Sequence, residues 1–279
     1  MKPILKYAGG KSREIPQFLK YIPDNFDRYI EPFFGGGSLY FYLEPKNAII
    51  NDANSRLMTF YAQVKDQYPL MHSQLVALYE QYKVNQENYY KAKKFAIPSE
   101  RVPNENQETY YRMRDLFNNP DGSLLDGTLF YYINKTSYSS MIRYNKKGKF
   151  NVPFGYYKDP RLDVSMQSHS DLLQGAEIFS LDYSRIFEMA RENDFMFLDP
   201  PYDCVFHDYA GKEFGEPEQR RLADDFRKLS CKALMVINKT PLTMELYGDY
   251  VCDEYDKKYY MFAGKRTSND SKHIVVKNF

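Results

Sequence analysis

Phe195-Met196-Phe197-Leu198-Asp199-Pro200-Pro201-Tyr202 carries the reading of this chain. The first four residues form a short, wholly apolar run, the pattern of a strand buried on both faces. A carboxylate follows where that strand must end. The two prolines fix φ and remove two backbone donors, which leaves carbonyls free to accept hydrogen bonds. An acceptor carboxylate, a free carbonyl and an aromatic face suit a planar ring that bears an exocyclic amine. A turn that happens to contain Asp is the competing explanation, and these residues alone do not separate the two.

Upstream, strand and helix signals alternate. Arg28-Tyr29-Ile30-Glu31 reads as a strand running into Pro32-Phe33-Phe34-Gly35-Gly36-Gly37-Ser38, with a helix starting near Ser38. Asn47-Ala48-Ile49-Ile50-Asn51-Asp52 reads as a second strand, followed by a helix carrying Leu57, Phe60, Tyr61 and Val64. This is the βαβ order of a doubly wound α/β sheet. The alternation stops near Asp66. From there to Tyr132 the chain reads as helices separated by polar loops such as Ile97-Pro98-Ser99-Glu100-Arg101-Val102-Pro103.

Residues 128–158 hold six basic side chains (Lys135, Arg143, Lys146, Lys147, Lys149, Lys158) and no Asp or Glu. Lys146-Lys147-Gly148-Lys149 makes a turn between Met141-Ile142-Arg143-Tyr144 and Phe150-Asn151-Val152, which predicts a basic hairpin. Strand signals return at Glu177–Leu181, Phe195–Leu198, Lys232–Ile237 and His273–Val276, with a helix from Glu216 to Leu229. The predicted architecture is a sheet domain of residues 1–65 and 160–279, interrupted by a helical insertion at 66–159.

Composition bounds the function. At 279 residues, 43% hydrophobic and 27% charged, the chain is a globular one, long enough for a large α/β domain with an insertion. A net charge of +1 excludes a globally basic coat, so nucleic-acid binding would need a local patch. Cys204, Cys231 and Cys252 lie far apart, with no metal-ligand spacing and no paired framework, so no metal site is expected and a reducing cytoplasm is the simpler location. No apolar run approaches a membrane span, and Met1-Lys2-Pro3-Ile4-Leu5-Lys6 has no signal-peptide core.

The glycine-rich turn Glu31 to Ser38 lets the backbone approach a ligand closely, yet it has neither a phosphate-loop Lys nor the G-x-G-x-x-G spacing. Asp52, at the end of the next strand, stands where α/β folds bind a ribose hydroxyl. The pair points to a cofactor containing a nucleoside. Leu5-Lys6-Tyr7-Ala8-Gly9-Gly10-Lys11-Ser12 adds a tight turn, a stacking ring and a Lys able to meet a carboxylate, such as the amino-acid tail of a cofactor.

In order, Leu5 to Lys11, Glu31 to Ser38, Asp52 and Asp199-Pro200-Pro201-Tyr202 resemble the Dam-like DNA adenine-N6 methyltransferases, the D12 class in the alpha group of amino-methyltransferases. Arg143-Tyr144-Asn145 and Phe150-Asn151-Val152-Pro153-Phe154-Gly155 resemble the DNA-reading hairpin of that family. The resemblance runs from Leu5 to the final strand. It implies a Rossmann-like α/β sheet that uses S-adenosyl-L-methionine, with 66–159 as the target-recognition domain. It implies double-stranded DNA as partner, with a cognate restriction endonuclease as a further candidate, and a cytoplasmic enzyme encoded by a bacterium or phage. It leaves the oligomeric state open.

Carried over by position, the resemblance assigns catalysis to Asp199, Pro200 and Tyr202. It assigns cofactor binding to Tyr7, Ala8, Gly9, Lys11, Glu31, Phe34, Gly35, Gly37, Ser38, Asp52, Asp182, Tyr183 and Asp199. DNA contacts fall to Lys6, Tyr138, Arg143, Lys146, Lys147, Asn151, Pro153 and Tyr157, with Tyr138 entering the base stack and Arg143 reading a guanine. Two positions depart from the pattern. Ser139-Ser140 stands where the family often has Asn-Gly, so a changed backbone is expected there. His273 replaces a common Glu.

Three rivals remain at this point. Methylation of the cytosine amine or of a protein glutamine amide would use the same acceptors, but those enzymes more often begin the motif with Ser or Asn. A catalytically inactive DNA-binding module would have no need of Asp199, Tyr202, Asp52 and Lys11 together.

Overall fold

The structure is a computed structural model that describes residues 1–7, 9–97, 102–202, 214–257 and 271–279. Seven strands form one sheet: β1 (Tyr29–Glu31), β2 (Ala48–Asn51), β3 (Ala176–Phe179), β4 (Phe195–Leu198), β5 (Lys232–Asn238), β6 (Val251–Lys257) and β7 (Ser271–Lys277). Their spatial order is β3-β2-β1-β4-β5-β7-β6. The first five run parallel, and β7 pairs antiparallel with both β5 and β6. This is the doubly wound α/β sheet expected from the sequence.

The apolar run of β4 is explained by its position at the centre. Phe195 and Phe197 point into one core with Tyr29, Ile50, Leu234, Val236 and Val275. Met196 and Leu198 point into the other with Ile30, Ile49, Met235, Ile237 and Ile274. Side chains alternate along a strand, so a strand covered on both faces must be apolar throughout. Each such side chain contributes about 1.5–3 kcal/mol on burial.

The helices are α1 (Ile15–Phe18), α2 (Ser38–Leu43), α3 (Ser55–Asp66), α4 (Tyr68–Phe95), α5 (Glu105–Asn118), α6 (Asp126–Thr136), α7 (Gln167–Leu173), α8 (Tyr183–Phe187), α9 (Glu216–Arg227) and α10 (Pro241–Tyr247). The alternation breaks at α4, α5 and α6, as read. Helix α6 is buried at nine of its 11 positions. It packs on α3, where the Phe60 ring stacks on Phe130 at 5.7 Å and on Tyr131 at 6.1 Å. The helical stretch thus shares one apolar core with the sheet.

The basic hairpin forms around an antiparallel bridge between Tyr144 and Phe150. Asn118 holds it from α5: its side chain donates to the Phe150 carbonyl at 3.0 Å and accepts from the Phe150 N–H at 2.8 Å. The segment 241–257 carried no clear signal in the sequence. It forms α10, capped by Thr240, and β6, an edge strand whose Asp253, Glu254 and Asp256 hide its periodicity. Ala8, Pro98–Arg101 and Cys204, named from the sequence above, lie outside the described residues.

Candidate active site

Two neighbouring strand ends build the site. In register, Tyr29 of β1 lies beside Phe195 of β4, and Ile30 beside Met196. The chain winds from β1 towards β3 on one side and from β4 towards β5 on the other. The β1/β4 boundary is therefore the switch point of the sheet, where open α/β sheets bind ligands beyond the strand ends. Pro32 to Gly37 leaves the sheet there, and so does Asp199 to Tyr202.

Lys11 reaches the same place from the N-terminal segment. It is 1% exposed, and its Nζ donates to Asp199 Oδ1 at 2.5 Å and to the Tyr202 hydroxyl. A buried ammonium requires a compensating anion, and Asp199 is one. The carboxylate that Lys11 meets here belongs to the chain itself, whereas the sequence reading gave it the tail of a ligand.

The glycine turn is shaped by two close approaches. Gly37 has φ +63°, and a Cβ there would fall 2.4 Å from Phe34 Cζ. A Cβ on Gly36 would come within 3.1 Å of Tyr7 Cβ. Tyr7, Phe34, Gly35 and Gly37 are thus brought together. The buried Ser38 hydroxyl accepts from Ser12 at 3.2 Å.

Asp52 Oδ2 accepts from the Gly35 N–H and Oδ1 from the Asn54 N–H, each at 2.8 Å. Burial raises its carboxyl pKa, and the two backbone donors oppose that rise. Glu31 is fully buried, with Oε2 accepting from the Tyr29 hydroxyl at 2.8 Å. Desolvation pushes its carboxyl well above the ordinary range; the Tyr29 bond opposes this, and the nearby Asp199 and Asp52 charges add to it.

Asn51 is a functional candidate that the sequence reading missed. Its side chain donates to the carbonyls of Pro32 at 2.9 Å and Leu181 at 3.1 Å, and accepts from the Leu181 N–H at 2.8 Å. One buried amide therefore ties the ends of β1, β2 and β3 together and brings the Asp182 loop beside the glycine turn. Asp182 caps α8. Partial burial would raise its carboxyl, but Arg221 at 2.6 Å and Ser184 outweigh that and hold it at about 2. Tyr183 is buried beneath the half-buried Phe33, with ring centroids 5.3 Å apart. Phe33 is the more accessible ring of that pair.

The DNA-facing candidates gather around the hairpin. Asn134 of α6 donates to the carbonyls of Lys6 at 3.0 Å and Ser140 at 3.3 Å, which joins the exposed Lys6 to the segment holding Tyr138. Tyr138 is 53% exposed, and its N–H donates to the Pro153 carbonyl at 2.9 Å. Ser139 and Ser140 both have φ 55°, the left-handed conformation that favours Gly or Asn. The chain holds both serines in the conformation that glycine adopts without strain.

Arg143 Nε donates to Asn151 Oδ1 at 3.0 Å across the hairpin, and the Asn151 N–H donates to the Arg143 carbonyl at 3.3 Å. Lys146 and Lys147 are exposed at the turn, which Asn145 Oδ1 closes by accepting from the Lys147 and Lys149 N–H groups. Tyr157 is half-buried, and its carbonyl accepts from the Tyr82 hydroxyl.

Residues 7–261 match the family of D12 class N6 adenine-specific DNA methyltransferases. The chain belongs to that family. It is 35% identical to the Type II methyltransferase M.CviBI of Paramecium bursaria Chlorella virus NC1A over the full length of both chains. It is 32% identical to the Type II methyltransferase M.MjaIII of Methanocaldococcus jannaschii, over 89% of this chain and 87% of the relative. It is 29% identical to a DNA adenine methylase of Vibrio cholerae, over 88% and 84% respectively. As a D12 enzyme the chain transfers a methyl group to the N6 amine of adenine in DNA, and the cytosine amine is set aside as its target. Among the described residues no helix is long and apolar enough to cross a membrane.

Proposed function

We propose that this D12 enzyme takes its methyl group from S-adenosyl-L-methionine and acts on an adenine flipped out of double-stranded DNA, within GATC or a closely related word. The observation that carries this reading is the meeting of Lys11, Asp199 and Tyr202 at the β1/β4 switch point.

The residues present fit such a donor. The Asp52 carboxylate accepts one backbone bond on each oxygen, and a carboxylate has about four acceptor positions, so capacity remains for ribose hydroxyls. At Gly36 a side chain would press on Tyr7, so the bare turn lets Tyr7 lie against it. Tyr7, Phe34, Gly35, Gly37 and Ser38 would hold the donor along that turn. Glu31 begins that turn, Lys11 meets Asp199 at the neighbouring strand end, and Asn51 ties the Asp182 loop, with Tyr183 against Phe33, to the Pro32 carbonyl. When bound, the donor supplies an electrophilic sulfonium methyl group.

The chain's own residues address the adenine. The amine is a poor nucleophile because its lone pair is delocalised into the ring. The Asp199 carboxylate and the Pro200 carbonyl would accept its two hydrogens and favour a pyramidal nitrogen aligned for displacement. Tyr202 would stack on the extruded base. Inside a duplex the amine is unreachable, so the base must leave the stack. Tyr138, an exposed ring, would fill the gap.

Residues 1–65 and 160–279 form the catalytic unit in this reading, and 66–159 the target-recognition unit. Single-molecule mapping of modified adenines in DNA treated with the enzyme tests the word. Calorimetric titration of S-adenosyl-L-methionine without DNA tests the donor site: Asp52→Ala should weaken binding, and unchanged affinity would overturn the assignment.

A further inference from the structure

Beside Tyr202 lies a buried polar cluster that the proposed reaction does not use. Glu14 precedes α1, three residues after Lys11, and its N–H donates to the Lys11 carbonyl at 2.7 Å. Its buried carboxylate bonds to His273 Nδ1 at 2.7 Å and accepts from the Tyr255 hydroxyl at 2.9 Å and the Lys257 ammonium. His273 is fully buried on β7. Its ring centroid lies 5.3 Å from that of Tyr202 at an inclination of 64°, and 5.7 Å from that of Tyr255 at 67°.

Packing alone does not account for this arrangement. Burying a carboxylate, an ammonium and an imidazole together is costly compared with apolar side chains of similar volume. Tyr202, in turn, follows two prolines and lies outside every strand, so no ladder fixes its ring. Side chains must do so. Lys11 engages its hydroxyl, and His273 packs against its ring. Burial, with Lys11 and Lys257 nearby, lowers the His273 pKa to about 3. The Glu14 carboxylate beside Nδ1 selects the form of the ring that carries its proton there.

We propose that Glu14 and His273 are positioning residues for Tyr202: Glu14 fixes the imidazole, and the imidazole sets the angle at which the Tyr202 ring meets the target base. This rests on the reading of Tyr202 as the ring that stacks on the flipped adenine.

The test uses the full-length enzyme and a duplex with 2-aminopurine at the mapped target adenine, whose emission rises on extrusion and is quenched by stacking. Glu14→Gln, His273→Phe, the double variant and Tyr202→Ala are compared in emission, kcat and DNA affinity. Each single positioning variant should brighten the complex and lower kcat about tenfold, a loss of about 1.4 kcal/mol in the transition state. DNA affinity should hold, because phosphate contacts dominate it. The double variant should be no worse than the poorer single, since Glu14 acts through His273. The proposal is overturned if Tyr202→Ala brightens the complex while Glu14→Gln and His273→Phe leave emission and kcat unchanged. It is also overturned if their losses follow folded fraction or DNA affinity alone, or if the two add fully. If Tyr202→Ala itself leaves emission unchanged, the stacking reading fails first, and the positioning role falls with it.

Discussion

Lys11 and Asp199 are 188 positions apart in sequence, and their side chains meet at 2.5 Å. The Lys11 ammonium is almost wholly buried, so Asp199 has a duty besides the one proposed for it in the reaction: it balances a charge that water cannot reach. The two duties separate experimentally.

Asp199→Ala should abolish methyl transfer and also lower stability by about 3 kcal/mol, because it leaves a buried ammonium unpaired. Adding Lys11→Met should restore much of that stability without restoring activity. Thermal melts and a radiolabelled transfer assay on the same preparations check both. Equal activity in Asp199→Ala and the parent would remove Asp199 as acceptor of the amine hydrogens.

Glu31 gives a dependence on pH of opposite character to an ordinary paired carboxylate. Burial raises its pKa in the folded state, so the fold favours the protonated form. Below the unfolded pKa, about 4.3, both states are protonated and Glu31 costs nothing. As pH rises from there through the folded pKa, the unfolded state loses its proton first and stability falls. Glu31→Gln should therefore raise the melting temperature at pH 8 and leave it unchanged near pH 4, while weakening donor binding. A melting temperature at pH 8 no higher than that of the parent would contradict the buried acid.

Tyr202→Ala should lower turnover strongly through loss of stacking worth roughly 1–3 kcal/mol. Tyr202→Phe should keep most of the activity, although it gives up the Lys11 contact to the hydroxyl. Single-turnover rates distinguish the two roles: if Phe is as damaging as Ala, the hydroxyl and not the ring face is what the reaction uses.

These residues also show what a sequence displays and what it hides. Phe195 to Leu198 was legible because a strand covered on both faces has no polar position to blur it. The hairpin was legible because Gly148 and its flanking lysines mark a turn. Glu14 was not: it looks like any acid before a short helix, and the Tyr255 and His273 that satisfy it lie 241 and 259 residues away. Asn51 and Asn134 were hidden for the same reason, since a buried amide declares itself only through partners brought close by folding. Strand β6 was hidden because an edge strand can afford Asp and Glu on its open side.

The paired left-handed serines make a stability prediction. A non-glycine residue in that conformation costs roughly 1–2 kcal/mol, and glycine's extra freedom in the unfolded chain offsets part of the gain on replacement. Ser140→Gly should therefore stabilise the enzyme by about 0.5 kcal/mol or more with the methylated word unchanged. Denaturant melts with modification mapping check this, and a destabilised variant would mean that the serine side chain makes a contact worth more than the strain.

The last prediction concerns how the hairpin reads sequence. Arg143 commits Nε to Asn151, which orients the guanidinium and leaves its two terminal nitrogens to address a base edge. A bidentate contact to guanine O6 and N7 is worth about 1–3 kcal/mol of discrimination. Arg143→Ala should then relax preference at one guanine position by roughly ten- to a hundredfold. Asn151→Ala should relax the same position by less, because the arginine remains but is no longer aimed. Lys146→Ala and Lys147→Ala lie at the exposed turn and should weaken binding to every sequence alike while flattening its salt dependence. Competition between cognate duplexes and duplexes altered at one base pair separates these effects. If Arg143→Ala weakens all duplexes equally, Arg143 is a phosphate contact, and Asn151 then serves only to close the hairpin.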